Sequence, residues 1–263
     1  MTKAEILRDT ELFLLDLDGT VYLDETPIGD MQDTLARLRE MGKKLVFLTN
    51  NSSKTQAEYV DKLTRIGLFD ARDGVYTSGM ATALYLKEHC AGRRVYLVAT
   101  ERVRTEFEGM GIVLDEENPD VCVLAYDLEL NFDKIRRLDR FLRAGKPFFA
   151  THPDDVCPTK DGSMPDVGSF LAMFERSSGR KPDLVVGKPY SVMAECLTRT
   201  FKVPRGRMCM VGDRMHTDIR FGNDSGMHTI LVLSGESTRE TMKRFPDRPE
   251  LILNDFNELL SGD

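Results

Sequence analysis

The amino-acid sequence predicts an α/β fold, with a doubly wound parallel sheet and a second, smaller α/β unit inserted into it. Strand-like apolar runs alternate with helical segments over residues 12–67, and the same alternation returns from residue 183 onward. The segment between them has strands and helices of its own. Continuous apolar strands separated by helices are typical of parallel sheets that are covered on both faces.

The first part of the chain predicts two strands and two helices in alternation. The strands are the apolar runs LFLLD (12–16) and KLVFLT (44–49). The helix between them, MQDTLARLREMG, has Gly42 as its expected C-terminal cap and a single apolar face formed by Met31, Leu35 and Leu38. A capping box, Ser53-Lys54-Thr55-Gln56, predicts a second helix that begins at this box and closes near Gly67.

The last part of the chain repeats the pattern. Ser191 is the expected cap of a helix that ends near Phe201, and a helical stretch follows residue 213. A short helix is expected at the end of the chain. The predicted strands are DLVVG (183–187), MCMVGD (208–213), HTILVL (228–233) and LIL (251–253).

The middle of the chain is expected to form the inserted unit. Its predicted strands are 94–100, 121–127 and 146–152, and its predicted helices lie around 101–110 and 131–144. We therefore expect a core formed by 1–80 and 182–263, and an inserted α/β domain at 81–181. One continuous large sheet is the alternative.

Composition and charge exclude several classes of protein. The chain has 263 residues and a net charge of −7, and no cluster of Lys and Arg forms a basic stripe, which argues against nucleic acid or an anionic membrane as the partner. We find no signal peptide and no apolar run long enough to span a membrane. The five scattered cysteines are expected to be reduced and mostly buried, so the sequence favours a cytoplasmic protein.

Two aspartates, Asp16 and Asp18, follow the first apolar strand. Their side chains point to the same side of an extended segment, at the strand end where open parallel sheets bind ligands. An EF-hand is excluded, because that loop needs Gly at its sixth position and Glu at its twelfth, whereas Gly19 is fourth and Pro27 is twelfth when the count starts at Asp16. The remaining alternative is that the two carboxylates simply terminate a strand.

Other predicted strands also end in polar residues. Thr49, Asn50 and Asn51 follow the second strand, Lys188 follows another, and Asp213 and Asp218 follow a third. Each group alone is compatible with an ordinary polar loop, a helix cap or a solvated lysine. A doubly wound sheet would bring these strand ends to one edge, where several carboxylates repel one another unless a cation holds them. Oxygen ligands of this kind favour Mg²⁺.

These motifs resemble the haloacid dehalogenase (HAD) superfamily of aspartate-nucleophile phosphatases. The four blocks occur in the order of that superfamily: Asp16-Leu17-Asp18-Gly19-Thr20, Thr49-Asn50-Asn51, Lys188, and Gly212-Asp213 with Asp218. The phrases Leu-Thr-Asn-Asn-Ser, Ala150-Thr151-His152-Pro153-Asp154 and Thr229-Ile-Leu-Val-Leu-Ser-Gly235 are similar to the NagD/p-nitrophenyl phosphatase branch (subclass IIA). The resemblance implies a Rossmann-like core, with 81–181 as a cap domain.

The resemblance also implies the roles of the site residues. Asp16 would be the nucleophile that forms an aspartyl-phosphate, Asp18 the general acid and base, and Lys188 an electrostatic stabiliser of the phosphoryl group. Thr49, Asn50 and Asn51 would hold phosphoryl oxygens. Mg²⁺ would be held by Asp16, Asp213, Asp218 and the backbone carbonyl of Asp18, with Asp218 either a direct ligand or one shell further out.

The cap would select the leaving group, and the loop around 151–169 is the expected contact region. His152 and Asp154 are its candidate substrate-binding residues. His152 stands where the family commonly has Asn and Asp166 where it commonly has Gly, so His152 either donates to substrate or serves a structural role in the loop. The cap could also mediate a homodimer.

The favoured activity is Mg²⁺-dependent hydrolysis of a small phosphorylated metabolite, such as a sugar phosphate or nucleotide monophosphate, with p-nitrophenyl phosphate as an artificial substrate. One alternative is phosphotransfer to another acceptor, as in a mutase. The other is a non-catalytic, phosphate-binding regulatory module.

Overall fold

Strands and helices alternate along the chain in the computed structural model, which describes residues 1–159 and 162–261. The α/β prediction is therefore confirmed. Two compact units are present. The first comprises Met1–Thr49, Ala57–Tyr76 and Pro189–Asp263, and the second comprises Asn50–Gln56 and Thr77–Lys188.

The helices have the following bounds. The α-helices are α1 (Lys3–Asp9), α2 (Met31–Glu40), α3 (Gln56–Arg65), α4 (Ser78–His89), α5 (Glu101–Gly109), α6 (Phe132–Arg143), α7 (Val167–Ser178), α8 (Ser191–Phe201) and α9 (Arg220–Ser225). A π-helical turn covers Met215–Ile219, and 3₁₀ turns cover Arg205–Arg207, Thr241–Arg244 and Phe256–Leu259.

The strands, in chain order, are β1 (Leu12–Leu15), β2 (Tyr22–Leu23), β3 (Thr26–Pro27), β4 (Lys44–Thr49), β5 (Gly74–Thr77), β6 (Arg94–Val98), β7 (Val113–Leu114), β8 (Val121–Leu124), β9 (Phe148–Ala150), β10 (Val156–Thr159), β11 (Gly162–Pro165), β12 (Leu184–Val185), β13 (Met208–Gly212), β14 (His228–Val232) and β15 (Leu251–Leu253).

The sheet of the first unit has the order β15-β14-β13-β1-β4-β5, and β1 pairs in parallel with both β4 and β13. The chain first adds strands on one side of β1 and later on the other side. The strand order therefore reverses between β1 and β13, and the carboxyl ends of strands at such a point form the usual ligand crevice of doubly wound sheets. All four residues of β1 are buried, which explains its uninterrupted apolar sequence.

Helix α2 shows how the sequence pattern is used in the first unit. Met31, Leu35 and Leu38 are fully buried in the hydrophobic core, as their spacing predicts. Gly42 has a φ of +76° just beyond the last helical turn, a left-handed conformation that glycine adopts without steric cost. The predicted face and the predicted end of this helix are both confirmed.

The sheet of the second unit has the order β12-β9-β8-β6-β7, and all of its neighbouring pairs are parallel. The chain thus forms a second parallel α/β sheet rather than one continuous sheet. Strand β12 pairs with β9 in this sheet, whereas the sequence predicts that residues 182–188 belong to the core. The predicted cap, 81–181, lies within the second unit, and its role as a cap stays a prediction.

Three local predictions need correction. Helix α3 begins at Gln56 rather than at the Ser53 box, because the Ser53 hydroxyl and N–H both bond to Asn51 Oδ1. Ser191 is the first residue of α8, and Tyr190 is its cap. The loop around 151–169 contains the antiparallel pair β10–β11, although Lys160 and Asp161 lie outside the described residues.

The cysteines Cys90, Cys122, Cys157, Cys196 and Cys209 form no disulfide within the described part of the chain, and Cys122, Cys196 and Cys209 are buried. Within residues 1–159 and 162–261, no helix has both the length and the apolar character that crossing a bilayer requires.

Candidate active site

Asp16 and Asp18 lie where the chain leaves β1. The Asp16 N–H donates to the Val211 carbonyl at 2.9 Å, so the sheet hydrogen bonding continues one residue beyond the strand. Gly19 then turns the chain with a φ of +85° and donates its N–H to the Tyr22 carbonyl. The Asp16 side chain is half-buried and Asp18 is exposed, so the two carboxylates occupy different environments.

Asp213 follows β13, the strand next to β1. Its Oδ2 accepts the Glu236 N–H at 2.7 Å. A Cβ added at Gly19 or Gly235 would lie 2.6 Å or 2.1 Å from this Oδ2, so both glycines are needed for the backbone to approach the carboxylate so closely. Asp213 Oδ1 is buried and has no hydrogen-bond partner among residues 1–159 and 162–261.

Asp218 is brought to the same place by the π-helical turn at Met215–Ile219, a distortion that is frequent at functional sites. Its Oδ2 accepts the Arg214 N–H at 3.1 Å. A Cβ at Gly212 would lie 2.3 Å from Asp218 Oδ2, so the end of β13 must be glycine for this carboxylate to pack against it. The helical turn thus places Asp218 beside the strand end that carries Asp213.

Asp16, Asp213 and Asp218 each have a carboxylate oxygen within 4.8 Å of the others. Burial, and then repulsion from Asp218, raises the pKa of Asp213 to about 6. A cation would offset this repulsion and give the buried Asp213 Oδ1 a partner. Hard oxygen donors in this number suit Mg²⁺ or another hard divalent ion, so these residues fit a divalent metal.

Arg214 is a site residue to which the sequence analysis assigned no role. Burial lowers the pKa of its guanidinium, but the carboxylates of Asp16 and Asp213 raise it more, so the net shift is upward. Its Nε lies 3.1 Å from Glu236 Oε2. The signal in the sequence was the Gly-Asp-Arg run, in which a cation directly follows the metal-ligand candidate Asp213.

Thr49 is the last residue of β4, which neighbours β1 on the side opposite β13. It is buried, and the β1–β4 register, continued by two residues, places it level with Leu17 between the two aspartates. The structure therefore brings Thr49, Asp16 and Asp213 to the same edge of one sheet, as the sequence predicts for strand carboxyl ends.

Asn50 and Lys188 belong to the second unit, where they bond to each other. The Asn50 side chain accepts the Lys188 N–H at 2.8 Å and donates to the Lys188 carbonyl at 2.9 Å. It also donates to Asp154 Oδ1 at 3.1 Å. Asn50 and Lys188 are buried, so the amide group of Asn50 fixes the main chain at Lys188.

Asn51 has a local role in the structure. Its Oδ1 accepts both the N–H and the hydroxyl of Ser53, at 2.9 Å and 2.8 Å. Its Nδ2 lies 3.9 Å from Cys157 Sγ. The side-chain Oδ1 of Asn51 therefore shapes the loop that follows Asn50. Only the other polar groups of Asn51 could contact a phosphate.

His152 lies inside the second unit. It is fully buried, and its Nε2 lies 2.9 Å from Asp166 Oδ1. Its Nδ1 lies 3.0 Å from Thr151 Oγ1. Asp154, the other candidate in this loop, is half-buried and bonds to Asn50. The sequence alone is compatible with either a substrate donor or a structural histidine, and the burial and pairing of His152 favour the structural role.

Comparison with known proteins shows the family. Residues 13–113 match the family model of haloacid dehalogenase-like hydrolases, and residues 185–259 match a HAD-hydrolase-like model. A 5′-nucleotidase of Bacillus subtilis is 31% identical over 94% of this chain and 96% of its own length. An acid sugar phosphatase of Staphylococcus haemolyticus is 30% identical over 95% of both chains. The crystal structure of a 4-nitrophenylphosphatase from Thermotoga maritima superposes with a TM-score of 0.93, 42% identity and 97% coverage of both chains.

Proposed function

This chain belongs to the haloacid dehalogenase-like hydrolases, in the NagD/p-nitrophenyl phosphatase branch, and is a phosphoric monoester hydrolase; from this premise we propose that it hydrolyses small phosphomonoesters through an aspartyl-phosphate on Asp16. One observation carries the proposal. Asp16, Asp213 and Asp218 converge at the strand-order reversal of the first sheet, with Asp213 Oδ1 buried and lacking a hydrogen-bond partner within the described residues.

Asp16 and Asp18 divide the chemistry between them. An Asp16 oxygen attacks phosphorus and the bond from phosphorus to the ester oxygen breaks, while Asp18 donates a proton to the departing alkoxide. Asp18 then removes a proton from water, which attacks the aspartyl-phosphate, releases phosphate and restores Asp16. Its exposed side chain suits this second step, because it is open to water.

Mg²⁺ is the proposed cofactor, with Asp16, Asp213, Asp218 and the Asp18 carbonyl as its ligands. When bound, it supplies positive charge that offsets repulsion between the Asp16 carboxylate and the phosphate ester. Arg214 stabilises the same group of carboxylates from the protein side. The raised pKa of Asp213 supports this assignment, because burial and the neighbouring Asp218 carboxylate disfavour its negative charge, which a cation would offset.

Thr49, Asn50, Asn51 and Lys188 are the proposed phosphoryl-binding residues. Thr49 supplies a hydroxyl at the end of β4, and Asn50 and Asn51 supply backbone N–H groups, since both Asn side chains have bonds within their own unit. The Lys188 ammonium supplies charge for the transferred phosphoryl group. Asp154 would act through Asn50, to which it is bonded.

Residues 81–181 are the proposed cap, which would select the leaving group and provide the surface for a homodimer. The named activities of the relatives, on nucleotides and sugar phosphates, support a small metabolite as the substrate. Hydrolysis is distinguished from phosphotransfer by inorganic phosphate release in the absence of any added acceptor.

The variant Asp16→Asn tests the proposal. An amide cannot attack phosphorus, so we expect at least about a 10³-fold loss of p-nitrophenyl phosphate hydrolysis with Mg²⁺ present and no change in melting temperature beyond a few degrees. Asp33→Asn, on the exposed face of α2, is the matched control and should retain the native rate. Trapping of a phosphorylated peptide that contains residue 16 would support the intermediate. Native turnover by Asp16→Asn would refute the assignment.

A further inference from the structure

His152 and Asp166 form a buried pair in the second unit. His152 is fully buried, and 3% of Asp166 is exposed. Asp166 Oδ1 accepts two hydrogen bonds, one from His152 Nε2 at 2.9 Å and one from the Val167 N–H at 2.7 Å. The second bond caps helix α7. Asp166 therefore connects the His152 ring to the start of a helix.

A chain of hydroxyl groups indicates which ring nitrogen of His152 carries the proton. Ser52 Oγ accepts the Tyr126 N–H at 2.9 Å and lies 2.9 Å from Thr151 Oγ1, which lies 3.0 Å from His152 Nδ1. If every hydroxyl proton is used, Ser52 donates to Thr151, and Thr151 donates to Nδ1. His152 then carries its proton on Nε2 and donates it to Asp166, so each group in the chain has a partner.

The same ring borders the residues that hold Asn50. Ser78 Oγ lies 3.4 Å from His152 Nδ1 and donates to the Asn50 carbonyl. A Cβ at Gly187 would lie 2.8 Å from His152 Cβ and 2.7 Å from Asn50 Oδ1. The Gly187 N–H bonds to the Thr151 carbonyl at 2.7 Å. His152 therefore packs between the two segments whose ends, Asn50 and Lys188, exchange hydrogen bonds.

A metal site is a weaker interpretation of these groups. One ligand atom each of His152, Asp154 and Asp166 lies within 4.8 Å of the others. Nε2 and Oδ1 are already bonded to each other, Oδ1 also accepts the Val167 N–H, and Asp154 accepts from Asn50. A cation would have to displace these bonds, so the side chains are better described as a satisfied hydrogen-bond network.

We propose that His152 and Asp166 are positioning residues, which do not contact substrate and which hold Asn50 and the Lys188 main chain in place for phosphoryl binding. The inference rests on the proposed function, because Asn50 and Lys188 are phosphoryl-binding residues only within it. A positioning role predicts that damage to the pair affects every phosphate ester equally, since the phosphoryl group is common to all of them. A direct specificity role predicts losses that depend on the leaving group.

Two pairs of variants separate positioning from general folding. Asp166→Ser retains a capping oxygen for α7 but does not reach His152, whereas Asp166→Asn retains an Oδ1 acceptor for both bonds. His152→Ala removes the ring, whereas His152→Gln restores a donor near the Nε2 position. Asn131→Ala removes the cap of α6 in the same unit and is the control for lost stability.

We expect kcat of Asp166→Ser and His152→Ala to fall about 10–100-fold, by one common factor for p-nitrophenyl phosphate, AMP and a hexose phosphate, with little change in KM. Asp166→Asn and His152→Gln should recover to within about fivefold of the native kcat. Asn131→Ala should lower the melting temperature by about 2–4 °C and leave kcat unchanged.

Backbone hydrogen exchange provides a readout that does not depend on activity. Peptides that cover 50–53 and 187–188 should exchange at least about tenfold faster in Asp166→Ser than in Asp166→Asn. Unchanged exchange, native kinetics in Asp166→Ser, or losses that differ among the three esters would each overturn the inference. Native turnover by Asp16→Asn would instead overturn the proposed function, and the exchange result would then decide the positioning role alone.

Discussion

The two parallel sheets of this protein each have a point where the strand order reverses, and they treat buried carboxylates there in opposite ways. In the first unit, Asp213 lies at the β1–β13 reversal with its Oδ1 buried and unpartnered among the described residues. In the second unit, Asp127 lies just beyond β8, at the β6–β8 reversal, and its Oδ2 bonds to Lys134 Nζ at 2.7 Å. The same architecture thus carries an unbalanced charge in one unit and a balanced charge in the other.

The bonds around Asp127 show what a structural carboxylate requires. Its Oδ1 accepts the Glu129 N–H at 2.9 Å, and Lys134 also donates to the Ala99 carbonyl at 3.2 Å. Both carboxylate oxygens of Asp127 and the ammonium group of Lys134 therefore have hydrogen-bond partners within the protein. A strand-order reversal is therefore not sufficient for a catalytic site, and the informative difference is whether the protein balances the charge that it buries there.

The largest effect should come from Asp213→Asn. Loss of a metal-ligating charge should reduce kcat/KM by about 10²–10³-fold, because several kcal/mol of transition-state stabilisation depends on the cation. In EDTA the melting temperature of the same variant should rise, since the amide removes repulsion with Asp218. Steady-state hydrolysis and thermal unfolding test the two parts. If the melting temperature falls in EDTA, groups of the protein itself compensate the negative charge of Asp213 without a metal.

Mg²⁺ should stabilise the native protein by an amount that depends on its occupancy. At a free Mg²⁺ concentration 100 times the dissociation constant, the free energy of unfolding should increase by about 2.7 kcal/mol. Thermal unfolding across a Mg²⁺ titration measures it, with the Asp127→Asn variant as the control that should retain the full shift. An equal shift in Asp213→Asn would place the ion elsewhere.

Asp127→Asn should change the stability of the protein in the direction opposite to Asp213→Asn in EDTA, and its overall effect should be smaller. The change leaves the half-buried Lys134 ammonium without its carboxylate, which should reduce the free energy of unfolding by about 1–3 kcal/mol. The rate of hydrolysis should be unchanged at temperatures where the variant is folded. Chemical denaturation measures the loss, and a stabilised variant would mean that the Asp127–Lys134 pair does not offset its own burial.

Much of the fold follows from local patterns. Strand β4 (Lys44–Thr49) has the predicted bounds and helix α8 ends at Phe201 as predicted, because apolar runs and apolar spacing are properties of neighbouring residues. Helix α1 was missed although Thr2 and Glu5 form a complete capping box that is visible as Thr-x-x-Glu. The β10–β11 pair was missed for another reason: its residues are mostly exposed and show no apolar alternation.

The residues of the candidate site likewise divide into those that local sequence patterns reveal and those that they do not. Asp16, Asp213 and Asp218 could be selected from the sequence because polar residues end strands that a doubly wound sheet aligns. The burial of His152 could not be selected, because its partner Asp166 lies 14 residues away and both stand in a segment rich in turn formers. Nor could the sheet that receives β12, since a two-residue strand carries no information about its neighbour.

The types of residue in the chain were enough to identify the family, the strand ends and the carboxylates that would hold a cation, because each depends on short-range order along the chain. Which carboxylate is balanced and which is not became known only from the folded chain. Asp127 is followed closely by Lys134 in the sequence, and Asp213 is followed directly by Arg214. Lys134 bonds to Asp127 Oδ2, whereas Asp213 Oδ1 has no hydrogen-bond partner within the described residues. The physical reason is that electrostatic balance in a protein interior is set by distances of a few ångströms between side chains, and the fold alone sets those distances.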